Sequence, residues 1–486
     1  AQLTGTGGIW HRIAAADGPD PVLAADIEHL ARGCLGRGQI PTAAVYLRHA
    51  LDLTPSGPAR TPRLLTMVES LLVAGFVTAA LEYAAEVAQL EPDAWSDYVA
   101  GYQLMLAGQV AQAQQRLERA LARARLDAAG DNVDGRPADL QARITTQLAI
   151  IAVLTVSHAE MIEHGAAAVA GAREPWVAAF AWFTRALGLT LAGRATQALA
   201  ELAKVDASGS PSGVDGLVAR GMIRLWTDDL DGAEQDLSHA VTRATRGEPL
   251  RIGQALGFLG EVQYRRGALA EAALHVEAAL GDAEENDRVW DYALLHSLAS
   301  YPLAAQGRFA QACYHAEQAG TWARRVGTPT ALAYAAASRA TIAQARGDAV
   351  AMLAAADDLE PAYPGAEPGT VLLAALRADA LSRLGEAKEA THALAAFEAE
   401  VAAVGRRSAQ LSIARVRGQI AAVEHRYADA LDECRAALRL AHQIGLPLEA
   451  ARIEGLICEY AAAAGRRAAA ERSLRAALRQ FAGLGA

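Results

Sequence analysis

The fold is decided by a stretch in the middle of the chain, Leu256-Gly-Phe-Leu-Gly-Glu-Val-Gln-Tyr-Arg-Arg-Gly267-Ala-Leu-Ala-Glu-Ala272. Its first part is made of good helix formers with apolar residues at helical spacing. Gly267 can adopt the left-handed conformation that ends a helix. Ala272 is small enough to let a second helix pack closely on the first. The stretch therefore predicts two helices joined by a tight turn, a helical hairpin.

The same turn pattern recurs along the whole chain. A glycine followed five positions later by a small residue occurs at Gly38, Gly75, Gly108, Gly193, Gly267, Gly307, Gly385 and Gly465. Gly347 fits with Met352 in the small position, and three further turns without glycine are expected at Ser157, Asp228 and His425. Spacing is irregular in the first half and close to 40 residues in the second.

One hairpin cannot bury its apolar face alone and must stack on its neighbours. The repeats therefore predict an all-α fold, a right-handed superhelix of about twelve helical hairpins. We expect one continuous superhelix with irregular repeats over 1–205 and regular ones over 214–486, divided by a Gly/Ser/Pro linker at 206–216. The segments Asp127–Ala138 and Pro361–Gly369 are predicted to be surface loops between hairpins.

Composition excludes several classes of function. The net charge of −10 argues against DNA binding by this segment. The only lysines, Lys204 and Lys388, lie outside any P-loop, and the sequence contains no metal-binding or catalytic motif. Four dispersed cysteines predict buried free thiols in a reducing compartment. We therefore expect a cytoplasmic protein that is not an enzyme, with no cofactor, no metal and no membrane span.

The pattern around Gly267 resembles the tetratricopeptide repeat in a 40-residue form. The opening Trp10-His-Arg-Ile-Ala-Ala-Ala-Asp-Gly-Pro-Asp20 and the following Ala43-Ala-Val-Tyr-Leu-Arg-His-Ala-Leu-Asp-Leu-Thr-Pro55 are similar to stretches of large ATP-binding (STAND) transcriptional regulators of the LuxR type, the group that includes MalT-like regulators. The C-terminal Leu474-Arg-Ala-Ala-Leu-Arg-Gln-Phe-Ala-Gly-Leu-Gly485 resembles the last repeat before that family's DNA-binding module.

The resemblance implies a function in transcription regulation. It identifies the chain as the helical sensor region that lies between an ATPase and a helix-turn-helix, both absent from this sequence. In that family the sensor binds a small inducer, a maltooligosaccharide in MalT-like members. The partners implied are therefore an inducer and the regulator's other domains, with self-association as a further expectation.

A ligand groove follows from the same resemblance, because the first helices of successive hairpins line the concave face of such an array. Its central positions, six residues before each turn, hold Glu261, Tyr301, Thr341, Asp379 and Gln419, and its flanking positions hold Tyr264, Arg265, Tyr334 and Arg383. We expect these side chains to be exposed in the groove and to bind a neutral di- or oligosaccharide. Plain solvated lining is the alternative.

A second candidate surface is aromatic. Trp95, Tyr98 and Tyr102 lie on one helix face, and Phe180 and Phe183 would extend it. Core packing is the commoner reason for such a stripe, but a peptide, a protein or an apolar ligand would also fit it. The competing prediction for the whole chain is accordingly a tetratricopeptide-type scaffold that binds a peptide or a partner helix.

Overall fold

The computed structural model describes residues 6–127, 137, 139–206, 213–244, 252–286, 288–358, 371–402 and 406–486. All regular secondary structure in these ranges is α-helical, which confirms the predicted all-α class. The predicted loop 361–369, nearly all of the loop 127–138 and most of the linker 206–216 lie outside the described residues. The division into two subdomains stays a prediction.

Twenty-six helices are described. The first thirteen are α1 Thr6–Ala14, α2 Pro21–Gly36, α3 Ile40–Asp52, α4 Arg60–Val73, α5 Val77–Leu81, α6 Ala84–Ala88, α7 Ala94–Leu106, α8 Val110–Asp127, α9 Leu140–Leu154, α10 His158–Gly171, α11 Pro175–Leu191, α12 Ala195–Asp206 and α13 Gly213–Trp226. The others are α14 Leu230–Ala244, α15 Ile252–Arg265, α16 Leu269–Glu285, α17 Val289–Ala305, α18 Phe309–Val326, α19 Pro329–Arg346, α20 Ala349–Asp357, α21 Leu373–Arg383, α22 Ala387–Val401, α23 Arg407–Val423, α24 Tyr427–Ile444, α25 Pro447–Ala463 and α26 Arg467–Leu484.

The predicted turns form twelve hairpins, from α2–α3 to α25–α26. All nine turn glycines have φ between 70° and 85°, and Asp228 and His425 have φ of 68° and 61°. At Gly267 the turn is closed by the Ala268 amide, which donates to the carbonyl of Gln263 at 2.9 Å. The turn expected at Ser157 is centred one residue earlier, on Val156, because Ser157 itself donates the closing bond to Ala152.

Small residues set the distance between the two helices of a hairpin. The residue five positions after the turn is buried, as expected for Ala272 and Ala430. A second small position, seven residues before the turn, was not predicted. It is glycine in four hairpins, where an added Cβ would lie 2.5–2.9 Å from a side chain of the second helix: Gly101, Gly221, Gly260 and Gly418. These hairpins are therefore packed too closely for any other residue.

The superhelix returns onto itself after about one third of the chain. Asp228, in the α13–α14 turn, accepts a 2.8 Å hydrogen bond from the Ser408 amide, 180 residues later. Thr330 donates to the carbonyl of Val153 at 2.9 Å, across 177 residues. A Cβ on Gly267 would lie 2.9 Å from Pro447. Successive turns of the superhelix therefore touch, and first helices from different turns share one core.

The described residues can also be compared with the expectations for membrane spans, metal sites and cysteines. No described helix is both long and apolar enough to span a membrane. No three potential metal ligands meet in the described part of the chain. The four cysteines are free, but only Cys34 and Cys434 are buried, whereas Cys313 and Cys458 are partly exposed. Full burial of the thiols was thus predicted correctly for two of the four.

Candidate functional site

The predicted ladder six residues before each turn lies on the inner face, but its side chains are buried. Asp379 is 0% exposed and Thr341, the most exposed of the five, is 4% exposed. Tyr334 and Arg265 are also buried, Tyr264 is partly exposed, and Arg383 is exposed as expected. The expected exposure in an open groove is therefore wrong for most of this set. The reason is that neighbouring first helices fill the space with one another's polar side chains.

Asp379 is the centre of the most connected polar group. Its Oδ2 accepts from Arg415 at 2.7 Å, and its Oδ1 accepts from Arg383 at 2.5 Å and Gln419 at 2.6 Å. Burial alone would raise the pKa of this carboxyl, but the two guanidinium groups and the amide outweigh it and hold the pKa below its ordinary value. The carboxylate therefore ties α21 to α23, and both of its oxygens are already engaged by side chains of the protein.

The tyrosines of the ladder link three first helices. The ring of Tyr301, on α17, lies 5.6 Å from that of Tyr264, on α15. Ser297 donates to the carbonyl of Tyr334, on α19. Burial raises the pKa of both Tyr264 and Tyr301, so both phenols are neutral. Tyr301 packs in the interior, and only Tyr264 faces a space that a ligand could enter.

The alternative aromatic surface is part of the core. Trp95, Tyr98, Tyr102, Phe180 and Phe183 are all buried. The hydroxyl of Tyr98 donates to Glu69 at 2.8 Å, and Glu69 also binds Arg143. Burial raises the pKa of Glu69, although Arg143 and Tyr98 act in the opposite direction. An exposed docking face on these rings is therefore a wrong expectation, and core packing explains the stripe.

One cavity opens among the inner helices, with a volume of about 110 Å³. We refer to it as the interior cavity. It is lined by Tyr264, Arg265, Thr341, Gln344, Val371, Leu372, Ala375, Leu376, Ser408, Leu411, Ser412, Arg415, Leu446, Leu448, Glu449 and Arg452. Of the nine residues predicted for the groove, Tyr264, Arg265 and Thr341 line it and the other six do not.

Residues near helix ends supply most of the lining of the interior cavity. They come from the last two turns of α15 and α19 and from the first two turns of α21, α23 and α25, and Arg415 joins them from the middle of α23. This arrangement depends on the return of the superhelix, because Arg265 donates at 2.7 Å to the same Asp228 that accepts from the Ser408 amide. Burial would raise the pKa of Asp228, but Arg265 and the amide hold it below its ordinary value.

The charges on the cavity wall are unequal. Three guanidinium groups, those of Arg265, Arg415 and Arg452, face a single carboxylate, that of Glu449. Arg452 donates to Glu449 at 2.5 Å and to Gln344 at 2.9 Å. The carboxylates that balance Arg265 and Arg415 do not line the cavity, because Asp228 and Asp379 lie behind their arginines.

Two polar atoms of the lining have no partner. Ser408 is 7% exposed and its Oγ makes no hydrogen bond; Arg415 is 3% exposed and its Nε makes none. A buried polar group left unsatisfied costs about 1–3 kcal/mol. Each of the two atoms has less than 1 Å² of accessible surface, so they lie within the cavity wall and not on the surface that a ligand would touch.

Counting positions back from each turn did not find Ser408, Ser412, Glu449 and Arg452. That procedure samples positions six residues before each turn, whereas these residues lie in the first two turns of α23 and α25. Glu449 and Arg452 do form an i, i+3 ion-pair pattern that is visible in the sequence. Nothing in the sequence, however, shows that α25 lies against α15 and α19.

Comparisons with known proteins agree with the architecture. No protein-family model matches the chain, and no curated protein matches it in sequence. Among solved structures, the chain is similar to a Rap protein crystallised with competence and sporulation factor, at 13% identity, with a TM-score of 0.51 over 82% of this chain and 99% of that one. It is also similar to the APC/C hetero-tetramer Cut9-Hcn1, at 12% identity, with a TM-score of 0.49 over 98% of this chain and 90% of that one. The similarity to the Rap protein identifies the fold as a tetratricopeptide-like helical repeat.

Proposed function

We propose that this chain is a helical-repeat binding protein whose interior cavity holds an anchoring group of a short peptide or partner segment. The observation that carries the proposal is the interior cavity itself, which lies on the inner face of the array and combines buried leucines with the charged side chains of Arg452 and Glu449. The fold similarity to a Rap protein that was crystallised with competence and sporulation factor supports peptide binding as the use of such a face. The site holds no nucleophile and base pair, so we propose binding without catalysis.

The size of the cavity favours this function over sugar sensing. A cavity of 150 Å³ holds a benzene molecule, and sites for larger ligands run from about 300 Å³. At about 110 Å³ the interior cavity accepts one side chain or chain end, but not a disaccharide. The inducer-sensing function within a MalT-like regulator stays a prediction from resemblance. Titration with maltose and maltotriose tests it, since a sugar at 100 times its Kd would stabilise the fold by about 2.7 kcal/mol.

The experiment is affinity selection from a random synthetic heptapeptide library, followed by calorimetric titration of the selected peptides. Ser412→Trp places a large ring beside the cavity, where Ser412 is partly exposed. The matched control is Ser238→Trp, a serine of similar exposure on α14, away from the cavity. We expect S412W to weaken binding at least about tenfold and S238W to leave it unchanged, a difference of about 1.4 kcal/mol or more. Failure to select any peptide, or equal binding by S412W, would overturn the proposal.

A further inference from the structure

We infer that the chain self-associates by placing the exposed face of α26 from one copy in a groove between α22 and α24 of a second copy. The inference is independent of the proposed function, because neither surface contributes to the interior cavity. It rests on a helix face that is both apolar and basic, on an acidic groove with an apolar bottom, and on the match between the two.

The exposed face of α26 is the first of the two surfaces. α26 packs on α25, and the two residues that it buries are Ala470 and Ala477. Leu474 and Leu478, by contrast, are 46% and 59% exposed, and no other described helix exposes two large apolar side chains one turn apart. Helical arrays stay soluble when an uncovered face of this kind is polar, so an apolar one indicates a binding surface.

Arginines accompany the two leucines. Arg475 and Arg479 directly follow them in the sequence, so a basic row runs beside the apolar row along the helix. Residues 466–484 contain five arginines and one glutamate, a net charge of +4 in a chain whose net charge is −10. The glutamate, Glu471, pairs with Arg467 and Arg475, whereas Arg479 is exposed and pairs with no described residue. The face therefore keeps positive charge for a partner.

The second surface is an open groove between the second helices of two neighbouring hairpins, which we call the outer groove. Its volume is about 760 Å³. It is lined by residues of α22, the end of α23 and α24: Thr391, Leu394, Ala395, Glu398, Arg417, Ile420, Ala421, Glu424, Arg426, Asp429, Asp432, Glu433 and Ala436. Leu394, Ile420 and Ala421 are buried, so the bottom of the groove is apolar. No described residue of α26 lies in it, so it is open to a second copy.

The outer groove keeps an excess of carboxylates after its ion pairs are counted. Five carboxylates line it, and four of them pair with Arg417, Arg426 and, just outside the groove, Arg435. Glu433 is partly exposed and pairs with no described residue. Five carboxylates against three arginines leave two negative charges. The groove therefore attracts a cationic partner.

The two surfaces match in charge, spacing and size. Asp429 and Glu433 lie one turn apart on α24, as Arg475 and Arg479 do on α26, so the two helices can form two ion pairs in register. The leucines of α26 would then pack on the apolar bottom of the groove, beside the aliphatic stems of the arginines. A cavity of 150 Å³ holds one benzene molecule, so 760 Å³ takes about five groups of that size. Each surface supplies what the other lacks, which makes a second copy of the chain the partner that fits.

The test is sedimentation equilibrium of the full chain and of two charge-reversal variants. For the native chain we expect an average mass that rises above that of the monomer with concentration. Arg475→Glu/Arg479→Glu on the helix and Asp429→Arg/Glu433→Arg in the groove should each raise the dissociation constant at least about a hundredfold, because like charges then face each other. All four side chains are exposed or partly exposed, so the variants should keep the fold.

A chain that carries all four changes has opposite charges facing each other again, and its dissociation constant should return to within about tenfold of the native value. The control, Arg119→Glu/Arg125→Glu, lowers the net charge as much as the helix variant does, at two exposed arginines of α8, and should leave association unchanged.

Three results would overturn the inference. The first is a native chain that stays monomeric at its highest soluble concentration. The second is a groove variant that associates like the native chain, as expected if α26 packed on α26 of the second copy. The third is a chain with all four changes that associates no better than the two variants from which it is built.

Discussion

Single residues carry much of the stability of this array, and Asp379 is the clearest case. Its carboxylate is completely buried and accepts from two arginines and a glutamine on two helices. Removing it leaves the guanidinium of Arg415, itself 3% exposed, without its counter-charge. A buried charge that loses its partner is far more costly than a surface ion pair that is broken.

We therefore expect Asp379→Ala to lower the free energy of unfolding by about 3–5 kcal/mol, measured by urea denaturation at pH 7. Because the folded pKa of Asp379 lies below its ordinary value, the contribution is present above about pH 4, the unfolded pKa, and is lost as the pH falls through the folded pKa. Asp432→Ala, which breaks an exposed pair with Arg435, should leave the midpoint unchanged. Equal midpoints for both variants would show that Asp379 is dispensable.

The effect of replacing a glycine inside a helix also depends on how closely other side chains pack against it. An added Cβ at Gly260 would lie 2.5 Å from Val276 and 3.0 Å from the carbonyl of Ala272, whereas Gly455 has nothing within 4 Å. Gly260→Ala should destabilise by about 1–3 kcal/mol through overpacking. Gly455→Ala should stabilise by about 0.5–1 kcal/mol, because alanine loses less backbone entropy in a helix. The measurement is the midpoint of thermal unfolding of each variant. A shift of both midpoints in the same direction would disprove this account.

At the scale of the element, the α17–α18 hairpin contains a histidine pair that is sensitive to pH. His296 and His315 place their Nδ1 atoms 3.0 Å apart, so one ring donates and the other accepts. Burial and, to a smaller extent, the neighbouring His315 lower the pKa of His296 to about 4. Burial also lowers the pKa of His315, against the opposing effect of Glu277. The hairpin therefore keeps both rings neutral.

A folded pKa below the unfolded value of about 6.5 means that the unfolded chain binds a proton that the folded chain does not. The stability of the protein should be fully present above pH 6.5 and should fall by about 3 kcal/mol as the pH drops to 4, at 1.36 kcal/mol per pKa unit. Urea denaturation at pH 7.5 and 4 measures this loss, of which about 2 kcal/mol should already be seen at pH 5. The double variant His296→Leu/His315→Leu should flatten the dependence, while His392→Leu, at an exposed site, should retain it. A slope that survives the double change would rule out the pair.

At the scale of the whole molecule, contact between successive turns of the superhelix is what encloses the interior cavity. Asp228 makes this contact with one carboxylate, which accepts from Arg265 within its own turn and from the Ser408 amide in the next. Asp228 also has a positive φ, which glycine adopts more easily than any other residue. The side chain and the backbone of this residue can therefore be tested separately.

Asp228→Gly keeps the turn conformation and removes the carboxylate. We expect amide hydrogen exchange to rise at the start of α23, in residues 406–412, with no comparable rise at α13. His425→Gly is the control, because it makes the same change at another turn whose side chain is exposed. It should leave exchange at α23 unchanged. Equal exchange in D228G and the native chain would mean that other contacts hold the two turns together.

The sequence predicts the helices and turns of each hairpin, but it does not predict the contacts between hairpins that are far apart in the chain. Gly267 and Gly307 mark turns because a left-handed residue is a local requirement. All twelve predicted turns are present, although the one expected at Ser157 is centred on Val156. The burial of Asp379 could not be predicted in this way. It depends on the small rotations between hairpins, which add up until the array meets itself. The same accumulated rotations bring Ser408 and Arg452 to the cavity. The sequence pattern within single hairpins therefore does not identify them as lining residues.

The separation of 180 residues between Asp228 and its partner Ser408 has a consequence for biosynthesis. A ribosome adds about 5–20 residues per second, so the α13–α14 turn emerges about 9–36 s before the helix that it must cap. During that interval the inner face of the middle hairpins has no covering turn, and its apolar side chains are open to other nascent chains. A chaperone that holds this segment should therefore leave it only once α23 has been made.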